Sequence, residues 1–339
     1  MWKTSEGIAW IPAKAPHARS MGFDLDFTLV KPHGKRRHPK DADDWEYLPN
    51  VREVLETTAL NYNIVIFTNQ ATRRPKIIKK RIENIVKDLG IAVQVYVAMD
   101  HNIFRKPSTG MYDFWKEQNT KDSGKATLRL FVGDAAGRPG DFSDSDYGFA
   151  RNTDTSFITP EEYFNPQGDA PEGKPAILPR PDIKPQICTK LPETDILLIV
   201  GYPNTGQEEI RMFNYPDHVV KYARHKTFPP KCFIGGTFVD KAKRKEIIDK
   251  LAPRKITCIF IDATMEQSQR MSLYHMRFEY TQREGTVLKR ARGLKMPPRQ
   301  VFYGLRKKFS KPTKAEGFAQ VIKVPICSNK WSAEILNMC

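Results

Sequence analysis

Met21-Gly22-Phe23-Asp24-Leu25-Asp26-Phe27-Thr28-Leu29-Val30 carries two aspartates two positions apart, a threonine two further on, and apolar residues around them. If this is a strand running into a loop, residues i and i+2 share a side. Asp24 and Asp26 then emerge together at the carboxyl end of a buried strand, where open α/β sheets place their ligands. Carboxylates held that close repel unless a cation or a shared proton relieves them. A hard cation such as Mg2+, taking few protein oxygens and completing its set with substrate phosphate, is the natural relief. An isolated Asp-x-Asp is also common in surface turns, so the residues downstream decide.

Outward from that stretch, apolar runs alternate with helical patterns. Asn63-Ile64-Val65-Ile66-Phe67-Thr68-Asn69-Gln70 reads as a buried parallel strand ending in polar groups. The spacing of Val51, Val54 and Leu55 predicts a helix from Leu48 to Leu60, with Asn50 as its cap. Residues Lys76 to Leu89 predict a second helix whose apolar face is Ile77, Ile78, Ile82, Ile85 and Val86. Val93–Met99 and Leu128–Asp134 are further strands, and Met111–Gln118 a further helix; residues 1–20 read as a short lead-in. The alternation is that of a parallel sheet. Lys31–Lys40 is a basic loop, and Asp141, Asp144 and Asp146 read as a solvated acidic loop or helix cap, with metal support as the alternative.

At 339 residues and 40% hydrophobic content, the chain predicts two domains with real cores, and no run suits a membrane span. Five cysteines without C-x-x-C spacing predict reduced thiols in the cytosol or nucleus. The net charge of +16 is uneven: residues 1–180 hold 26 Lys and Arg against 24 Asp and Glu, and residues 181–339 hold 29 against 15. That asymmetry predicts a polyanion partner for the second half. Seven prolines between Asn165 and Pro192 mark a linker, giving domains at 1–165 and 193–339 with a linker at 166–192.

Taken in order, Asp24 and Asp26, then Thr68, Lys106 and Asp134 resemble the haloacid dehalogenase superfamily. Phe23–Leu29, Ile66–Gln70, Arg105-Lys106-Pro107-Ser108-Thr109-Gly110-Met111 and Phe131–Pro139 resemble, more closely, the polynucleotide kinase 3′-phosphatase family. The resemblance implies a Rossmann-like phosphatase domain of that superfamily followed by a second α/β, P-loop kinase-like domain. It makes Asp24 the nucleophile and Asp26 the acid–base, with Mg2+ held by the Asp24 carboxylate, the Asp26 carbonyl and Asp134. Thr68 and Asn69 then contact the phosphoryl group, and Lys106 neutralises its charge. One departure stands out: the family usually has glycine where this chain has Phe27. If that position needs a dihedral that glycine adopts easily, Phe27 strains the loop.

In the second half, Gly201 and Gly206 keep P-loop spacing between an apolar strand, Ile196–Val200, and a predicted helix. Gln207 stands where the P-loop lysine belongs and Glu208 where the Ser/Thr belongs, so this half is expected to lack kinase activity. Eleven basic residues lie between Arg283 and Lys314, with Phe302, Tyr303 and Phe309 interleaved. Arg306, Lys307 and Lys308 are the expected nucleic-acid contacts, whereas the aromatics read as core.

The resemblance thus implies a Mg2+-dependent phosphatase acting on DNA 3′ ends, nuclear and also compatible with cytoplasm or mitochondria. It further implies a monomer working beside DNA-repair proteins, with no membrane and no phosphopeptide-binding module ahead of Asp24. A phosphatase of small metabolites and an inactive DNA-end-binding protein are the competing readings.

Overall fold

The computed structural model describes residues 1–71, 74–123, 126–165 and 189–326. Most of the expected linker, through residue 188, lies outside the described residues. The chain divides into two compact units. The first takes the described residues through 165 together with Glu279–Lys295, and the second takes 189–278 and 296–326. The later half therefore returns a segment to the first unit, which the composition does not signal. The basic run from Arg283 to Lys314 is divided between the two.

In chain order the strands of the first unit are β1 (Lys3–Ser5), β2 (Ile8–Ile11), β3 (Arg19–Phe23), the short pair β4 (Val30–Lys31) and β5 (Glu46–Tyr47), β6 (Asn63–Asn69), β7 (Val93–Ala98), β8 (Thr127–Val132) and β9 (Ser156–Ile158). Its helices are α1 (Val51–Ala59), α2 (Pro75–Leu89), α3 (Gly110–Ser123), α4 (Ser145–Asn152) and α5 (Pro160–Phe164). All the strands except β4 and β5 form one sheet, ordered β1-β2-β7-β6-β3-β8-β9. From β7 to β9 neighbours run parallel, while β2 is antiparallel to β7. The α/β parallel architecture is the one expected. The lead-in is not: residues 1–20 contain β1 and β2, and Ile8, Ala9 and Trp10 are buried. Runs of three and four residues are too short to declare a period.

The basic loop after β4 is organised by one buried side chain. Asp44 accepts from the backbone N–H of Lys40 at 2.7 Å and of His33 at 3.0 Å. Those bonds, the Lys40 one first, hold its carboxyl down at about 2. At the start of α1, Asn50 sits at the N-cap position with φ 61 but makes no side-chain cap; its Nδ2 donates to the Phe164 carbonyl at 3.1 Å.

The second unit is a five-stranded sheet of β10 (Ile196–Val200), β11 (Val219–Tyr222), β12 (Cys232–Gly235), β13 (Thr257–Ile261) and β14 (Gln320–Val324), ordered β11-β12-β10-β13-β14 and parallel throughout. With it come α6 (Gln207–Asn214), α7 (Lys241–Leu251), the greater part of α8 (Met265–Gln282) and α10 (Arg299–Lys308); α9 (Val287–Ala291) belongs to the first unit. Alternate residues of β10 enter two cores. Leu197 and Ile199 pack with Ile210, Met271 and Tyr274, whereas Ile196, Leu198 and Val200 pack with Ile247, Leu251 and Phe318. Covered on both faces, a central parallel strand reads as a continuous apolar run. Cys232 and Cys258 are free and buried; burial pushes the Cys258 thiol up to about 12. No helix among the described residues is long and apolar enough to cross a membrane.

Arg244 ties this unit together. It is fully buried, donates to Glu316 at 2.7 and 2.9 Å, and reaches the carbonyls of Phe238, Val239 and Ser310. Removing one member of a buried ion pair strands the other, at a cost of about 3–5 kcal/mol. Arg244→Met is expected to lose about that much stability in urea unfolding, because Glu316 keeps its charge without a partner. A loss below about 1 kcal/mol would mean that Glu316 finds water instead.

Candidate active site

The parallel strands β3, β6, β7 and β8 end on one edge of the first sheet, and the chemistry-bearing residues follow their ends. Strand β3 stops at Phe23, so Asp24 is the first residue of the loop, anchored by its N–H to the Val132 carbonyl at 2.9 Å. Strand alternation does not extend through Asp26. The chain turns back, with Leu29 N donating to Leu25 O at 2.9 Å and Phe27 N to Val30 O at 2.7 Å. Phe27 takes φ 60 in that turn, the left-handed dihedral expected where the family usually carries glycine. A side chain there costs on the order of 1–2 kcal/mol.

Asp24 and Asp26 consequently meet different partners. Lys106, in the loop between β7 and α3, places Nζ 2.6 Å from Asp24 Oδ1 and 2.7 Å from Asp146 Oδ1. Both Lys106 and Asp146 are buried. Asp134, just past β8, completes a cluster: carboxylate oxygens of Asp24, Asp134 and Asp146 all lie within 4.8 Å of one another. Thr28 accepts from the Asp134 backbone N–H at 3.1 Å and donates to its Oδ1 at 3.3 Å. Asp26 turns elsewhere. Gln70 Nε2 donates to its Oδ2 at 2.6 Å, and the buried Arg81 guanidinium on α2 places Nη1 2.7 Å from its Oδ1.

The electrostatics follow from burial. Burial raises the Asp24 carboxyl, with Lys106 opposing and Asp146 adding to the rise; burial also raises Asp134, helped by Asp146 and Asp24. Burial alone would lower the Lys106 ammonium, but Asp146 and Asp24 outweigh it and hold it up. Three carboxylates and one ammonium leave a formal charge of −2 when all are ionised. Like charges about 4 Å apart repel by roughly 4 kcal/mol at an effective dielectric near 20. Oxygen donors with an unmet charge of this size fit a hard divalent cation such as Mg2+. Asp24, Asp134 and Asp146 are the residues that could hold it.

The expected phosphate contacts lie at the same edge. Thr68 is buried at the end of β6, and its Oγ1 accepts from Gln70 Nε2 at 2.9 Å, which leaves its own O–H to donate. Asn69 lies beside it and anchors Lys106. Its Oδ1 accepts from Lys106 N at 2.9 Å and its Nδ2 donates to Lys106 O at 3.2 Å, clamping the lysine loop.

Three participants escaped the sequence reading. Asp146 belongs to the acidic run expected to be a solvated loop or helix cap, with metal support as the alternative; it is buried against Lys106 and accepts from Ala135 N at 3.1 Å. Its neighbours differ: Asp141 is bonded to Arg138, and Asp144 sits at the N-cap position of α4. Gln70 ends the Ile66–Gln70 motif, where the family resemblance assigns it no role, and it bonds both Asp26 and Thr68. Arg81 had a legible signal, a charge on the helix face of Ile78, Ile82 and Ile85.

In the second unit, the Gly201–Gly206 loop follows β10, the middle strand, and Gly206 takes φ 109 at the start of α6. Gln207 folds back into the loop, its Oε1 accepting from Thr205 N at 3.1 Å and its Nε2 donating to the Tyr202 carbonyl. Glu208 pairs with Arg211. Arg306, Lys307 and Lys308 are exposed on the last turn of α10, Arg306 3.7 Å from Glu266. Phe302 is core and Phe309 stacks on Tyr202 at 5.1 Å, as expected of core aromatics; Tyr303 is exposed.

Gly133 lets α4 approach: a Cβ there would stand 2.6 Å from Asp146 Cβ and Oδ2. Gly133→Ala and Asp146→Asn are both expected to weaken Mg2+ binding in calorimetric titration at least about tenfold, the usual lower bound for disturbing a metal's ligand frame. Unchanged affinity in Asp146→Asn would reduce Asp146 to a support for Lys106.

Residues 19–164 match the family described as polynucleotide kinase 3 phosphatase. The chain is 29% identical over 328 residues to the bifunctional polynucleotide phosphatase/kinase of Schizosaccharomyces pombe, covering 90% of this chain and 79% of that protein. It is 37% identical over 161 residues to a 20.8 kDa protein of Autographa californica nuclear polyhedrosis virus, covering 44% of this chain and 87% of that one. A polynucleotide 3'-phosphatase of Saccharomyces cerevisiae is 28% identical over 206 residues, covering 42% of this chain and 86% of that protein. With the strand-end carboxylates and lysine assembled inside the matched segment, the chain belongs to the polynucleotide kinase 3 phosphatase family.

Proposed function

We propose that the first unit removes 3′-phosphates from DNA ends, and that the second unit has no 5′-kinase activity. One observation carries the first part: Lys106 bridges Asp24 and Asp146 beside Asp134, at the carboxyl edge of a parallel sheet, inside the family-matched segment. Mg2+, held by Asp24, Asp134 and Asp146 with the Asp26 carbonyl, would neutralise phosphate charge and orient it.

The chain's residues do the rest. An Asp24 oxygen attacks phosphorus, the bond to the 3′ oxygen breaks, and Asp26 delivers a proton to that departing oxygen. Asp26 then takes a proton from water, which attacks the aspartyl-phosphate and releases inorganic phosphate while restoring Asp24. Lys106 offsets charge on the transferring group, and the Thr68 hydroxyl donates to it. Asn69 keeps the Lys106 loop in place.

The proposed loss of kinase activity draws on Gln207. Its amide occupies the loop interior and its Oε1 takes the Thr205 N–H that a phosphate would need, and Glu208, paired with Arg211, offers no hydroxyl for a metal. The second unit's exposed Arg306, Lys307 and Lys308 then contribute charge toward the nucleic acid.

The test is purified protein with Mg2+ and a 3′-phosphorylated oligonucleotide. Phosphate release is expected, falling at least about 10³-fold in Asp24→Asn with the fold intact. ATP should give no phosphorylation of a 5′-hydroxyl end. Robust turnover of free nucleotides or sugar phosphates with no gain from DNA would overturn the substrate assignment. Binding without release would overturn the activity. Separately, charge reversal at Arg306, Lys307 and Lys308 should weaken DNA binding and flatten its salt dependence, the slope losing about one per lost phosphate contact; unchanged affinity would remove these residues from the interface.

A further inference from the structure

Arg81 is 0% exposed, on the face of α2 that also buries Ile78, Ile82 and Ile85. Its Nη1 lies 2.7 Å from Asp26 Oδ1, yet Nε, Nη1 and Nη2 have no hydrogen-bond partner among the described residues, and neither does that Asp26 oxygen. The pair stands at ion-pair distance, and the rest of the buried guanidinium has no hydrogen-bond partner among the described residues. Burying a guanidinium in this way costs several kcal/mol, and an apolar residue of similar volume is commonly as stable or more so. The neighbouring isoleucines show that this face accepts apolar side chains. Stability is therefore a poor reason for a charge at position 81.

Its placement supplies a better one. The Asp26 side chain is 27% exposed, so one edge of it is open. Arg81 acts on Oδ1 while Gln70 Nε2 donates to Oδ2 at 2.6 Å. Gln70 also donates to Thr68 Oγ1, which links the aim of Asp26 to the residue expected to touch phosphate. We propose that Arg81 is a positioning residue for the phosphatase reaction, which with Gln70 grips the Asp26 carboxyl from the protein side and aims its open edge at the departing oxygen. The inference rests on the proton-delivering role proposed above for Asp26.

The test compares first turnovers, because Asp26 serves both steps and steady-state rates merge them. A 3′-phosphorylated oligonucleotide departs as an alkoxide and needs the proton; p-nitrophenyl phosphate departs as a phenolate and hardly does. Asp26→Asn should lose the oligonucleotide first turnover by about 10²-fold or more and keep a burst of p-nitrophenol. Arg81→Met should show the same pattern in weaker form, at least about tenfold on the oligonucleotide and under about threefold on the burst. KM should stay unchanged, Arg81→Lys should recover part of the loss, and Arg81→Met should add nothing to Asp26→Asn. Should Arg81→Met fail to fold, Gln70→Met loosens the other oxygen and must give the same selective loss.

Equal losses on both substrates, no loss at all, or full additivity with Asp26→Asn would overturn the positioning role. If Asp26→Asn discriminates between leaving groups and neither Arg81→Met nor Gln70→Met does, this inference alone fails. If Asp26→Asn does not discriminate either, both readings fall.

Discussion

A buried ammonium touching two buried carboxylates is the constraint around which the first unit is arranged. Lys106 lies between Asp24 and Asp146, and its charge, together with the Ala135 N–H on Asp146, offsets their common burial. One positive charge cannot balance three negatives once Asp134 is counted. The deficit is specific in place and sign, and it faces the carboxyl edge of the sheet. A phosphoryl substrate alone would deepen it, whereas a divalent cation arriving with that substrate would offset about as much negative charge as the phosphoryl group adds. Protons on the raised Asp24 and Asp134 carboxyls can relieve the deficit, and the oxygen donors also fit a hard divalent cation.

Satisfying this arrangement sets requirements on four separate pieces of chain. β3 must end at Phe23, so that Asp24 meets the Val132 carbonyl. The loop after β7 must be clamped, which Asn69 does through both ends of its amide. β8 must deliver Asp134, with Thr28 reaching across to it. Helix α4 must approach closely enough for Asp146 to share the lysine, which Gly133 permits. The strained Phe27 turn belongs to the same set, since it directs Asp26 away from the cluster toward Arg81 and Gln70. Two aspartates two residues apart are thereby given different countercharges, a precondition for giving them different tasks.

What could be read beforehand follows physical range. Strands β6 and β10 were legible because sheet strands buried on both faces are continuous apolar runs, with no alternation to misread. Asp24, Thr68, Lys106 and Asp134 were legible because each lies beside a strand end in a motif of several residues. β1 and β2 were not, being too short to show a period. Asp146 was not, because its burial depends on a lysine 40 positions earlier and a glycine 13 positions earlier, and Asp141 and Asp144 beside it have ordinary loop roles. Arg81 was half legible: the helical period placed it in the core, but only the fold supplies Asp26 as the reason.

The second unit answers the same problem in the opposite way. A glycine-flanked loop after a central parallel strand presents backbone N–H groups that must find acceptors. In a phosphate-binding loop the ligand supplies them, and a lysine balances the charge. Here the chain itself meets one of them, Gln207 Oε1 accepting from Thr205 N, while Thr205 Oγ1 donates to the Tyr202 carbonyl at 2.8 Å. A neutral amide closes the loop without leaving a charge deficit, so nothing comparable to the −2 of the first site calls for an ion. With glutamine at position 207 the loop carries no side-chain ammonium there, which is the electrostatic basis of the proposal that this unit lacks kinase activity. The fold around the loop can persist unchanged because its cores, on both faces of β10, are apolar and owe nothing to a ligand.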